Sequence, residues 1–434
     1  MTSTPPALVQ FRIEPARDGL IHLVFDMPDR SMNVFSNAAI HELGRFSSWL
    51  KASDVRGVVV RSGKTSAFCA GADLGELGVA YDMIMAAPAG DRHKVAFDHF
   101  FPLSQAIRGL ETAGKPVAIA IAGLALGGGC ELALGGHYRV LADSPTAALG
   151  LPESLVGLLP GAGGTQRMPR LVGIDAALPI LLSGARLSRE AALDAGLAHQ
   201  VVAPGEEVAA AESWLLSDNA SSVQPWDRPD FISPSRADVA RRILVAREQT
   251  LGETLGHEPA PLAILDCIEQ GLPLPFDQAV RTEMAIFAHL IQRPEARDMI
   301  RTLFHGKADY ERAKRKQTLS AAVIEATSAI LAELNFATGQ APLALAAAGF
   351  RNTGFSAAHV QTAMADGYWL DGDDSDSRRQ EARKALERLV ASSLWFMPKL
   401  DQTEQRMVDY AVVTHGGFPA YLGGPIAFAQ SRET

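Results

Sequence analysis

The sequence is poor in cysteine, in net positive charge and in long hydrophobic runs, and each shortage removes a class of protein. Its three cysteines, Cys69, Cys130 and Cys267, are too scattered in 434 residues for a metal knuckle and are odd in number. No disulfide framework is implied, and a reducing cytoplasm is the expected setting. A formal charge of -9 at pH 7 offers no basic footprint with which to displace counterions from phosphates, so broad nucleic-acid binding is excluded. No apolar stretch approaches the roughly 20 residues that span a bilayer, and Met1–Pro6 lacks the basic start and apolar run of a secretory leader. Tandem repeats are absent. Asp371-Gly372-Asp373-Asp374-Ser375-Asp376 lacks the sixth-position glycine and the later glutamate of a calcium loop, so it reads as a solvated loop before a helix, and no metal is expected.

What is present is apolar material, 47% of the residues, enough for large cores and two or three domains. Val9–Ile13 and Ile21–Phe25 alternate apolar and polar residues like a hairpin at a sheet edge. Asn37–Leu50 spaces Ile40, Leu43, Phe46 and Leu50 on one helix face, and Val58–Val60 and Pro116–Ile121 read as buried strands followed by glycine-containing turns. This alternation predicts an α/β core with crossover connections over the first 200 or so residues. Gly78–His99, with Pro88 and Gly90, reads as a mobile loop or short helices. Ser221–Arg236, rich in Ser, Pro and Asp, marks a boundary; beyond it nearly everything is helical, over 237–251, 262–269, 276–291, 294–303, 319–335 and 377–392. The expected domains are 1–218, a helical linker region 219–317 and a C-terminal helical domain 318–434.

The chemistry concentrates in Leu124-Ala125-Leu126-Gly127-Gly128-Gly129-Cys130-Glu131-Leu132. Three glycines opening a helix expose bare N–H groups, and a glutamate in its first turn faces the same volume, a place to hold an oxyanion and move a proton. Glu131 alone could be a glutamate favoured by the helix dipole. Cys130 before it and Leu132-Ala133-Leu134 after it predict burial, however, and a buried carboxylate needs a reason. A second carboxylate follows at Leu151-Pro152-Glu153, where Pro-Glu is also an ordinary helix start. Gly161-Ala162-Gly163-Gly164 superficially suggests a dinucleotide loop, but Gln166 replaces the last glycine of that fingerprint, and a tight turn is the better reading. Cys69 and Cys130 read as small buried apolar residues, and His137 and His415 as structural histidines.

Ser66-Ala67-Phe68-Cys69-Ala70-Gly71-Ala72-Asp73-Leu74, Leu126–Leu132, Gly150-Leu151-Pro152-Glu153 and Gly157-Leu158-Leu159-Pro160-Gly161-Ala162-Gly163-Gly164-Thr165-Gln166-Arg167 occur in the order found in the enoyl-CoA hydratase/isomerase (crotonase) family, which the first 210 or so residues resemble. The resemblance implies a ββα spiral core. It implies an oxyanion hole from the N–H groups of Ala72 and Gly128, with Glu131 as base toward water and Glu153 as a protonated acid toward the α-carbon. It further implies substrate-binding positions at Ala70, Gly71, Asp73, Gly127, Pro152 and Gly161. Compared with the family, Ser144–Leu149 carries two extra residues, which bears on the placement of Glu153.

Glu258–Ile264, the stretch from Glu283 to Phe304 and the basic Ala313–Lys316 resemble the helical linker of multifunctional fatty-acid oxidation enzymes. Val408–Pro425 is similar to the end of the helical domain of 3-hydroxyacyl-CoA dehydrogenases. No Gly-x-Gly-x-x-Gly follows Thr318–Ile324, so the NAD-binding module of those enzymes is missing, and no catalytic role is carried over with this likeness. The expected activity is hydration of 2-trans-enoyl-CoA, with no cofactor because CoA belongs to the substrate. The alternatives are a Δ3-Δ2-enoyl-CoA isomerase, another crotonase-fold lyase, or a weakly active subunit docking to a thiolase or dehydrogenase. Homo-oligomerisation also fits the likeness.

Overall fold

A computed structural model describes residues 4–65, 67–254, 256–347, 377–416, 418 and 420–433. The acidic stretch 371–376 lies outside the described residues. Two compact units emerge, one of residues 1–252 with 260–292, the other of 253–259 with 293–434. The break at 292/293 falls inside the span 219–317.

The first unit is built from two sheets that share the chain by turns. Strands β1 (Phe11–Pro15), β2 (Leu20–Phe25), β3 (Gly57–Ser62), β5 (Val117–Ile121), β7 (Tyr138–Ala142) and β10 (Gln200–Val202) form one sheet in that order. Strands β4 (Ala67–Cys69), β6 (Leu124–Leu126), β8 (Ala148–Gly150) and β9 (Arg186–Ser188) form the other. Consecutive strands β3 and β4, β5 and β6, β7 and β8 thus go to different sheets. This is the ββα spiral of the crotonase fold, an α/β architecture followed by a largely helical region.

The hairpin of β1 and β2 pairs Phe11 with Phe25 and Ile13 with Leu23, while β2, β3, β5, β7 and β10 run parallel. Val58, Val59 and Val60 are fully buried, as expected for a parallel strand covered on both faces. Helix α1 (Asn37–Ala52) starts at Ser36, whose side chain accepts the Ala39 N–H, and buries Leu43, Phe46 and Leu50.

Of the two readings of segment 78–99, a mobile loop or short helices, the structure has helix, and in longer elements than expected. Helix α2 (Leu74–Ala86) and helix α3 (Arg92–Glu111) take all of it except the connection Ala87–Asp91, which holds Pro88 and Gly90. Asp73 caps α2 by accepting the N–H groups of Gly75 and Glu76, and Leu77, Ala80 and Ile84 make its buried face. The cap and that helical spacing outweigh the small residues.

Helix α4 (Gly128–Gly135), helix α5 (Gly164–Val172), helix α6 (Ile174–Ser183), helix α7 (Arg189–Asp194) and helix α8 (Glu207–Leu216) complete the spiral; helix α9 (Arg236–Thr254), helix α10 (Pro259–Gly271) and helix α11 (Phe276–Leu290) come after it. In the second unit, helices packed through Val323, Ile330, Leu389, Val408 and Val412 form a separate apolar core. Among the described residues no helix is long and apolar enough to cross a membrane.

Candidate active site

The three motifs singled out in the sequence leave the carboxyl ends of three neighbouring parallel strands. Strand β6 lies between β4 and β8, pairing Cys69 with Ala125 on one side and Leu126 with Gly150 on the other. Ala70-Gly71-Ala72 continues from β4, Gly127-Gly128 from β6 and Leu151-Pro152-Glu153 from β8. Parallel strands therefore deliver all three to one edge, the usual location of a ligand site in such sheets.

Gly127 shows how close they come. Its φ of 55° and ψ of -129° lie where residues with a Cβ are strained. A Cβ there would sit 2.9 Å from Glu153 Oε1 and 3.4 Å from the Gly71 Cα. Its N–H donates to Gly150 O at 2.9 Å, extending the strand register to the brink of the turn.

The N–H groups of Ala72 and Gly128 stand outside the backbone pairing around them. At the isolated bridge between Phe35 and Ala72, the bonds run from Phe35 N–H to Gly71 O at 2.7 Å and from Asp73 N–H to Phe35 O at 3.0 Å, so the Ala72 N–H takes no part. Gly128 is the first residue of α4, where a helix has no acceptor for its N–H. A Cβ built on Gly71 would lie 3.9 Å from the Gly128 N, so the two turns adjoin. Asp73, besides capping α2, pairs with Arg30 at 2.7 Å and so anchors the turn that carries Ala72. Ala70 is tied by its N–H to Asn33 O at 2.9 Å.

The two glutamates have opposite surroundings. Glu131, 2% exposed, accepts at Oε1 from the Ala162 N–H at 2.6 Å and the Gly164 N–H at 2.8 Å. Burial raises its pKa, and these two donors pull it back. Glu153 is half-buried as a residue, but its Oε2 is sealed from solvent and has no hydrogen-bond partner. Burial first, and then the nearby Glu131 charge, push its pKa well above the ordinary carboxylate value. Of the two raised carboxyls, Glu131 has the stronger hydrogen-bond support for a charge and Glu153 leaves one oxygen unpartnered.

The Gly161–Gly164 turn holds carboxylates where a dinucleotide loop would hold phosphate. Gly163 has φ +99°, and a Cβ there would run into Arg167 Nη1. Arg167, fully buried, pairs with Glu111 at 3.1 and 3.0 Å and donates to Ala162 O at 2.8 Å. Gly161 lies against the Phe287 ring. Pro152 opens the 3-10 turn that carries Glu153. Sequence reading missed Glu283 of α11 as part of this cluster. It accepts from Gly163 N–H at 2.6 Å, from Thr165 N–H at 3.0 Å and from the Thr165 hydroxyl, and only the fold brings it there.

Cys69 and Cys130 are fully buried. Burial pushes the Cys69 thiol up to about 12 and raises Cys130 as well, so neither is a thiolate nucleophile at neutral pH. His137 Nδ1 accepts the Val117 N–H at 3.1 Å, a structural bond.

Residues 16–221 match the model of the enoyl-CoA hydratase/isomerase family. The chain is 33% identical over 306 residues to the fatty acid oxidation complex subunit alpha of Shewanella frigidimarina, an alignment covering 70% of this chain and 41% of that one. With the same subunit of Shewanella loihica the identity is 34% over 309 residues, covering 70% and 42%. The chain thus spans about two fifths of the length of these relatives. Among solved structures, an enoyl-CoA hydratase from Bacillus anthracis is 23% identical with a TM-score of 0.42, covering 68% of this chain and 95% of that one. Pseudomonas aeruginosa DspI is 29% identical with a TM-score of 0.42, covering 50% and 76%.

Proposed function

We propose that the chain adds water to 2-trans-enoyl-CoA to give 3-hydroxyacyl-CoA, a reading supported by the match of residues 16–221 to the enoyl-CoA hydratase/isomerase family model. Addition of water at C3 moves electrons through the conjugated system to the thioester oxygen. The Ala72 and Gly128 N–H groups receive that developing charge, and one such donor is typically worth about 3 kcal/mol in the transition state. Glu131, its Oε1 held by two N–H groups, takes the proton that water loses as its oxygen bonds to C3. Glu153 gives its proton to C2, collapsing the enolate. Exchange with solvent then returns a proton to Glu153 and removes one from Glu131, leaving the enzyme as it began.

The observation that carries this reading is the contrast between Glu131, with two donors on one oxygen, and Glu153, with an unpartnered Oε2. Hydration needs a base and an acid at once, and this pair supplies both. No bound cofactor enters the scheme, since CoA arrives and leaves with the acyl group. The experiment is to follow loss of the conjugated enone absorbance of crotonyl-CoA with the purified chain. Turnover supports hydration; inertness toward crotonyl-CoA together with conversion of a 3-enoyl-CoA to its 2-enoyl isomer would replace it with an isomerase that uses Glu153 alone.

A further inference from the structure

The hydration scheme gives Glu283 nothing to do, although it is a carboxylate with no exposed surface. Its contacts are with the same turn that holds Glu131. Four successive N–H groups alternate between the two side chains: Ala162 and Gly164 donate to Glu131 at 2.6 and 2.8 Å, and Gly163 and Thr165 to Glu283 at 2.6 and 3.0 Å. The Thr165 hydroxyl is a fifth donor. Its oxygen accepts Gln166 Nε2 at 3.0 Å, which turns its own proton toward Glu283. A turn gripped on one face only could rotate its amides away from Glu131. Gripped on both, it has one orientation.

The cations nearest the pair, Arg167 facing both glutamates and Arg170 facing Glu283, act on it through space while their hydrogen bonds go elsewhere. Arg167 on α5 is engaged with Glu111 of α3 and with Ala162 O. Arg170, also on α5, donates to Gln166 and to the carbonyls of Gly271, Leu272 and Leu274. Glu153 faces the cluster from beyond β8, and Cys267 from α10. Among the described residues neither Glu131 nor Glu283 forms an ion pair, and the Glu131 charge raises the proton affinity of Glu283 across the turn.

Resting on the hydratase reading, we propose that Glu283 is a positioning residue for the hydration step: by gripping the 162–165 turn from the opposite face it aims the N–H groups that hold the Glu131 carboxylate. The test uses the full chain and two variants. Glu283→Gln keeps the size but sets an NH2 against one of the turn's own donors, so the grip is lost. It is expected to lower kcat on crotonyl-CoA about tenfold or more with KM within about threefold, and to move the Glu131 titration, followed by carboxyl 13C NMR, upward as the Ala162 and Gly164 N–H groups turn away. Glu283→Asp falls short of the turn, so kcat should drop and that titration should rise in the same way, and it serves alone if the Gln variant does not fold. An unchanged kcat in either variant, or a Glu131 titration that does not rise in Glu283→Gln, overturns the proposal. A wild-type chain inert toward crotonyl-CoA overturns the hydratase reading instead, and the NMR titration, which needs no turnover, still decides whether Glu283 governs Glu131.

Discussion

Glu131 and Glu153 are the same amino acid with different proton affinities, and the difference lies in which backbone donors each oxygen meets. Burial raises both, but Glu131 recovers stabilisation of its charge from two N–H groups of the 162–164 turn, whereas Glu153 has only its own backbone N–H and faces the Glu131 charge. Glu131→Gln and Glu153→Gln are each expected to lower crotonyl-CoA hydration by about 10²–10⁴-fold while thioester binding, read by calorimetry, stays within a few-fold. Near-normal turnover in either variant would remove the assigned role. The pH profile has a defined sign. Activity rises with pH as Glu131 loses its proton and falls again when Glu153 loses its own, and since both are raised, the optimum of kcat/KM lies above the ordinary carboxylate range. Gly127→Ala places a Cβ 2.9 Å from Glu153 Oε1 at a φ of +55°. Strain of this kind costs about 1–3 kcal/mol, and the variant should show both a lower melting temperature and a fall in kcat larger than that in thioester affinity.

At the scale of elements, α10 and α11 belong with the spiral. Phe276 lies beneath the guanidinium groups of Arg108, Arg167 and Arg170 at 4.9, 5.0 and 5.3 Å. Phe287 packs on Gly161, and Cys267 O accepts Gln166 Nε2 at 2.8 Å. A chain ending at Asp218 would leave three arginines and the 162–165 turn without these partners. It is expected to lose its cooperative thermal transition, whereas a chain ending at Gln292 should melt cooperatively and keep hydratase turnover; circular dichroism and the crotonyl-CoA assay check both. The helical periodicity over 276–291 was readable from its apolar spacing. That its one buried glutamate meets a turn 120 positions earlier was not, because periodicity reports which face is buried and not against what. Helix α2 carried its own signals in Asp73 and in the spacing of Leu77, Ala80 and Ile84, which the nearby Pro88 and Gly90 obscured.

For the molecule as a whole, the second unit has its own buried charge. Asp409, fully buried, pairs with Arg301 at 2.7 Å and accepts the Ile426 N–H at 2.7 Å. Burial nevertheless lifts it from 3.8 to about 6. A carboxyl raised on folding binds its proton more tightly in the native state, so its contribution to stability is full below pH 4 or so and is lost as pH rises through about 6. Compared with Asp409→Asn, the wild-type chain should lose up to about 3 kcal/mol of unfolding free energy between pH 4 and 7, measured by urea melts at each pH. A constant difference across that range would show that Arg301 holds Asp409 ionised throughout.

The sequence marked the strands, most helices, the glycine turns and the two candidate glutamates that the fold brings together, because glycine runs, caps and apolar periodicity act over a few residues and leave a local mark. Tertiary structure alone decided which of the two carboxyls meets donors from the 162–164 turn and which is left with an unpartnered oxygen, since that depends on distant elements. It also decided the role of the Gly161–Gly164 segment. The same glycines that could cradle a phosphate are turned toward two glutamates from α4 and α11, and a backbone N–H is indifferent to which anion it meets until packing brings one within reach.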